Sequence, residues 1–253
     1  MTKLKSFFKK YTMTILIVAT VIFAYVMGTS SGALQPYLFP PISKIGGSFQ
    51  TMWMTMLQNF RASLELLIPG MLIGVLIALT VGIPMGLSER VRRALYPIVY
   101  AASMIPVILL SPFAVHMAPT LRSAAMFLVI WGTLWSTLFS TINGIMTIDK
   151  RYLDNATTLE INGFKRLRKI VLPAALPSIA GGIVTSVRSA FLSLVFAEMY
   201  GTRVGLGYFV RYYSDLGYFE HVWSGFLCMA IFMIVIMQIL EVIKNRLLRW
   251  TIN

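Results

Sequence analysis

Six stretches of the chain, roughly 12–30, 62–86, 96–117, 122–146, 175–198 and 221–243, are each apolar over about the 20 residues a helix needs to cross a bilayer. Inside lipid every backbone N–H and C=O has to find its partner within the protein. That leaves only helices and closed barrels, and runs this long and continuous are helical. The pattern predicts an all-α, polytopic transmembrane bundle of about six spans, with residues 1–253 forming one membrane domain. Composition agrees: 57% of the 253 residues are hydrophobic and only 12% charged. A soluble domain would need about twice that charge to cover its surface.

The first apolar run follows Lys3, Lys5, Lys9 and Lys10, as a signal peptide would. It is long for a signal core and lacks a small-x-small cleavage site, so an uncleaved first helix is expected. Between the first two spans, Pro36, Pro40, Pro41 and the pair Gly46-Gly47 predict an irregular stretch followed by a short amphipathic helix ending near Gln58. Placing the N-terminus inside puts sixteen lysines and arginines on the cytoplasmic side and five outside, with Arg188 within a span. This asymmetry predicts that both termini are cytoplasmic. The formal charge of +13 therefore reflects membrane topology, and no nucleic-acid partner is expected.

Enzyme chemistry finds little support. There is no G-x-x-x-x-G-K-[ST] loop, so the chain is not itself the usual ATPase. His116 and His221 lie far apart near the outer boundary, and Cys228 is the single cysteine, so no metal set and no disulfide is expected. A membrane-embedded enzyme acting on lipid would need buried His/Asp/Glu pairs, which the sequence does not supply.

At 100° per residue the fourth span places Thr133, Ser136, Thr137, Ser140, Thr141 and Gly144 on one face. Such a face is either a close helix–helix seam or the lining of a hydrated path. Arg188 lies inside the fifth span, where a charge costs at least ~2.5 kcal/mol. It is either an anion-attracting group in a pathway or the structural partner of a carboxylate or of backbone carbonyls. Ser186, Ser189 and Ser193 occupy a different face of the same span. Glu198, ten residues on and about 15 Å along the axis, is too distant to pair with Arg188. Arg61 and Glu65, four apart at a membrane edge, are expected to form an interfacial pair.

The longest cytoplasmic connection runs from Thr147 to Pro173. Residues 149–160 form an amphipathic helix on paper, with Tyr152, Ala156 and Leu159 as its apolar stripe and Asp149 suited to its start. Asn162-Gly163 offers a turn, and a basic segment, Lys165 to Val171, leads to Pro173. Periodicity alone leaves two uses open: docking a soluble partner, or lying on the lipid surface.

These residues resemble the cytoplasmic loop of the permeases of ATP-binding-cassette importers, E-A-A-x3-G-x9-I-x-L-P. Asp154, Asn155 and Ala156 stand at E-A-A, Glu160 at the glycine, and Ile170, Leu172 and Pro173 at the ending. The first half departs from the pattern, and Gly163 is a substitute source of the turn. The resemblance covers most of the chain and is nearest to the nitrate/sulfonate/taurine-type permeases. Gly82-Ile83-Pro84-Met85-Gly86, Ile105-Pro106, Ala197-Glu198 and Gly205-Leu206-Gly207-Tyr208 support it.

The resemblance implies a type I importer permease fold in the bacterial cytoplasmic (inner) membrane. It implies a second permease copy, two ATPase subunits that use ATP and Mg, and an external substrate-binding protein; this chain itself carries no cofactor. It assigns ATPase coupling to Asp154, Ala156, Leu159, Glu160, Gly163, Leu172 and Pro173. Arg188, Ser189, Ser193, Glu198, Thr137 and Ser140 are the pathway or gating candidates. The implied cargo is a small organic anion or zwitterion such as a sulfonate or taurine, the alternative being another nutrient such as an amino acid or vitamin precursor.

Overall fold

A computed structural model of the chain describes the backbone of residues 2–249 and the side chains of residues 12–249; Lys3, Lys5, Lys9 and Lys10 lie outside the described side chains. The described residues form helices α1 (Thr2–Ser30), α2 (Ile42–Leu87), α3 (Glu89–Ser103), α4 (Val107–Met117), α5 (Leu121–Met146), α6 (Lys150–Thr158), α7 (Gly163–Arg166), α8 (Leu172–Gly201), α9 (Leu206–Asp215) and α10 (Phe219–Leu247). A π-helical turn, Leu167–Val171, joins α7 to α8. Five helices are long and apolar enough to cross a membrane, and the bent pair α3–α4 makes a sixth if taken as one span.

Two expectations are corrected. The span foreseen at 96–117 is not one helix, because α3 and α4 meet at 91°. Pro106, which caps α4, has no N–H to continue a helix and disfavours helical backbone at the residue before it. The irregular stretch foreseen around Gly46-Gly47 is helical instead: α2 runs unbroken for 46 residues from Ile42. The prolines stay outside its start, with Pro41 at the cap. Tertiary contact outweighs the low helix propensity of two glycines. Ser48 Oγ lies 2.7 Å from both His221 Nδ1 and Ser224 Oγ on α10, and the rings of Phe60 and Phe232 pack edge-to-face at 4.8 Å.

The bundle is organised around α5. On one side α2 runs parallel to it, and Gly70, Gly74, Gly82 and Gly86 meet Val129, Thr133, Thr141 and Ile145 at a constant offset of 59 residues. On the other side α8 runs antiparallel, with Gly132 against Ser193, Ser140 against Gly182 and Gly144 against Ser178. Small residues at such crossings bring helix backbones close, which is where packing energy comes from when the surrounding lipid is as apolar as the protein. By contrast, α1 stands apart, with none of its apolar window buried. It is held through Tyr25, whose hydroxyl donates to Pro40 O at 2.6 Å and whose ring lies 5.7 Å from that of Trp223.

Candidate functional site

The connection between α5 and α8 is a folded element. Asp149 caps α6 by accepting the Arg151 N–H at 2.9 Å, satisfying one of the free donors of the first turn. At the other end, Ile161 N donates to Ala156 O at 2.8 Å and Glu160 N to Thr157 O at 3.0 Å. Those two bonds are the 6→1 and 5→2 pair of a Schellman motif, which requires left-handed backbone at the residue between. That residue is Glu160, at φ 53°, the one non-glycine with positive φ among the described residues. The turn therefore stays at the position where the resembled pattern has glycine, and Gly163, at φ 58°, adds a second bend and does not replace the first.

The apolar stripe read from spacing divides. Ala156 is fully buried within the chain, whereas Tyr152 and Leu159 are 60% and 69% exposed. Arg166 reaches back to donate to Leu153 O at 3.4 Å, and Leu153 and Leu167 pack with Ile145, Val171 and Ala175. The element is thus seated on the ends of α5 and α8 through its inner face. Its outer face carries Tyr152, Leu159 and Phe164, the last 75% exposed. Phe164 was missed in the sequence; its signal was an aromatic directly after Asn162-Gly163 in an otherwise basic segment. Asp154 is exposed, while Leu172 and Pro173 are half-buried in the first turn of α8. Thr147, Asp149, Tyr152, Lys169 and Pro173 line an open cleft of about 400 Å³ there.

Within the spans the candidates separate into two groups. Thr137, fully buried, donates to Ser186 Oγ at 3.1 Å; Ser140 packs on Gly182; Ser193 packs on Gly132 and donates to Ser189 O at 2.9 Å. Thr137, Ser140 and Ser193, with the Ser189 carbonyl, serve the contact between α5 and α8. Arg188 lies elsewhere on α8, exposed, with no hydrogen bond or ion pair among the described residues. No structural partner of the kind weighed for it is present within the described chain.

Glu198 is 1% exposed at the far end of α8. Its Oε2 accepts the Gly207 N–H at 2.7 Å, Ser63 Oγ accepts from Leu206 N at 2.9 Å, and Asn59 Oδ1 accepts from Gly205 N at 2.8 Å. Three free donors at the start of α9 are thereby satisfied by side chains from α8 and α2. Asn59 and Ser63 were not foreseen, and their four-residue spacing on one face of α2 was the available signal. Nearby, Arg61 Nε pairs with Glu65 at 3.0 Å as expected, and Arg122 approaches the same carboxylate at 3.9 Å. No group of three or more His, Cys, Asp or Glu that could hold a metal occurs among the described residues.

Comparison with known proteins gives a consistent result. Two inward-facing crystal forms of the MetNI methionine ABC transporter contain chains with this fold. They have TM-scores of 0.68 and 0.70 and 16% and 17% identity; 80% and 78% of this chain align, with 99% and 98% of those chains. A putative aliphatic sulfonates transport permease protein, SsuC of Bacillus subtilis, is 28% identical over 191 residues, 76% of this chain and 67% of that protein. The formylaminopyrimidine transport permease protein ThiX of Halalkalibacterium halodurans is 27% identical over 70% of this chain and 71% of its own length. The bicarbonate transport system permease protein CmpB of Synechococcus elongatus is 28% identical over 71% of this chain and 65% of its own. Residues 70–253 match the family model described as the binding-protein-dependent transport system inner membrane component. This multi-pass membrane chain belongs to that family, the permeases of ABC importers.

Proposed function

We propose that the chain forms, as one of two copies, the translocation pathway of an importer for a small organic anion or zwitterion, with aliphatic sulfonates the first candidates. Separate ATPase subunits, which bind ATP and Mg, seat on the element between α5 and α8. An external binding protein delivers the substrate at the opposite face. Both termini, with the α5–α8 connection, lie on the cytoplasmic side of a bacterial inner membrane, consistent with the distribution of lysines and arginines. The sulfonate reading draws on the relative named for sulfonates, and the relative named for bicarbonate also carries an anion. The relative named for formylaminopyrimidine supports the alternative, a vitamin precursor.

One observation carries the coupling part of this reading. Tyr152, Leu159 and Phe164 are more than half exposed at the tip of an element whose inner face is rigidly packed. Apolar knobs on a firm base at the end of a bundle suit a groove on a soluble partner. Leu159→Asp and Phe164→Asp, tested with the ATPase and binding protein co-expressed, should leave the permease inserted. They should reduce co-purification of the ATPase and ATP-driven uptake into proteoliposomes by about tenfold or more, as loss of a central contact does. Wild-type levels of both would overturn the assignment.

A further inference from the structure

The exposed faces of the spanning helices differ in character. Over the middle of α2 the outward residues include Leu72, Ile73, Leu76 and Ile77, and on α10 they include Ile231, Ile234, Val235 and Ile239. Both faces suit acyl chains. The outward face of α8 instead carries Thr185 and Arg188 at helical spacing, with Leu192 ending the polar run. Thr185 donates to its own helix at Gly181 O, 3.1 Å away, and Arg188 has no ion pair or hydrogen bond among the described residues. Arg188 is sixteen residues from Leu172 and thirteen from Gly201, the ends of α8. Those separations are about 24 Å and 20 Å along the axis, too far for the guanidinium to snorkel to either headgroup layer. An unpaired cation at that depth is stable only against water or an anion, since lipid offers neither.

We propose that the Thr185–Arg188 face of α8 lines the hydrated translocation pathway and that Arg188 makes this pathway selective for small oxyanions such as sulfonate or carboxylate groups. The proposal rests on the permease reading above and adds to it the residue that selects charge. A second copy facing this one would bring a second guanidinium to the same cavity and strengthen the preference. Thr185 places a small polar side chain one turn from Arg188 without adding a competing carboxylate. Thr137, Ser140 and Ser193 take no part, being committed to the α5–α8 contact.

Charge-selective thiol labelling tests this without knowing the transported substrate. In the full transporter in native membranes, with Cys228→Ser as background, Thr185→Cys is labelled with the anionic 2-sulfonatoethyl and the cationic 2-trimethylammonioethyl methanethiosulfonates. Leu76→Cys serves as the lipid-facing control. Both reagents should modify the Thr185→Cys protein and neither the Leu76→Cys protein. A guanidinium about 6 Å away in water-like surroundings changes the local concentration of each reagent about threefold in opposite directions. The anionic-to-cationic rate ratio should therefore fall about tenfold on adding Arg188→Gln and persist on adding Arg188→Lys. With Arg188 unchanged, raising the salt from about 0.05 M to 0.5 M should compress the same ratio, which covers the case of a glutamine variant that does not accumulate. A Thr185→Cys protein as inert as the control, or a ratio indifferent to both charge removal and salt, would overturn the proposal. The labelling needs no bound ATPase, so its failure is separable from failure of the coupling experiment.

Discussion

Glu198 Oε2 accepts the Gly207 backbone N–H at 2.7 Å, so the last turn of α8 caps the first turn of α9. The negative end of this contact also suits the helix dipole of α9. Glu198→Ala strands the buried Gly207 N–H and should cost about 1–3 kcal/mol, read as a lower melting temperature of the detergent-purified protein. Glu198→Gln keeps an acceptor at the same place and should cost less. Equal losses in the two variants would show that packing, not the hydrogen bond, matters here.

Gly205, two residues before Gly207, has φ 114° and ψ 161°, and an added Cβ would overlap the Glu198 carboxylate. Gly205→Ala should destabilise by about 1–3 kcal/mol from backbone strain alone, with the steric overlap added. Repeating Gly205→Ala in a Glu198→Ala background, where the overlapping carboxylate is gone, separates the two sources by thermal unfolding.

Glu160 occupies a left-handed position that most side chains disfavour. Glu160→Gly should be neutral or stabilising by up to about 1 kcal/mol, since relief of strain is offset by added freedom in the unfolded chain. Glu160→Val, β-branched at the same φ, should destabilise the turn. Limited proteolysis of residues 150–171 should cut the Val variant fastest and the Gly variant no faster than the Glu protein. Any other order would argue against the Schellman turn as the feature holding this element.

Ala156 on α6 and Leu159 at its C-terminal cap should respond oppositely. Ala156→Leu forces bulk into a filled site and should cost about 1–3 kcal/mol. Leu159→Ala, at an exposed site, should leave the stability within about 0.5 kcal/mol of wild type while weakening ATPase binding. A stability loss at Leu159 would place that side chain inside the permease.

How far the sequence carried the fold depended on the length scale of the signal. Runs of 20 apolar residues located the spans, because lipid admits so few alternatives. The spacing from Asp154 to Pro173 located the folded element between α5 and α8. Continuity of α2 through Gly46-Gly47 was hidden, since the contacts that stabilise it come from Ser224 and Phe232, more than 170 residues away. The break at Pro106 was masked because an apolar run reads alike whether straight or bent. The inward turn of Ala156 was also illegible: spacing puts residues on a shared helical face, but which part of that face meets the protein is decided by Leu153, Leu167 and Val171. Thr137, Ser140 and Ser193 had two readings because small polar residues serve seams and aqueous linings alike, and only the positions of Gly132 and Gly182 separate them.

The close seating of α5 on α8 bears on how force is carried through the molecule. At Gly132, Gly144 and Gly182 the two helices leave no room for even a methyl group, and the segment bearing Tyr152, Leu159 and Phe164 is the link between their adjacent ends. Two rods locked at three levels resist shear, so a push on that link is transmitted to both at once. The pair acts as a stiff strut with a handle at one end and the Glu198–Gly207 joint at the other. A tug delivered at the handle is therefore felt some 45 Å away, the length of thirty helical residues in α8, with little lost to bending along the way.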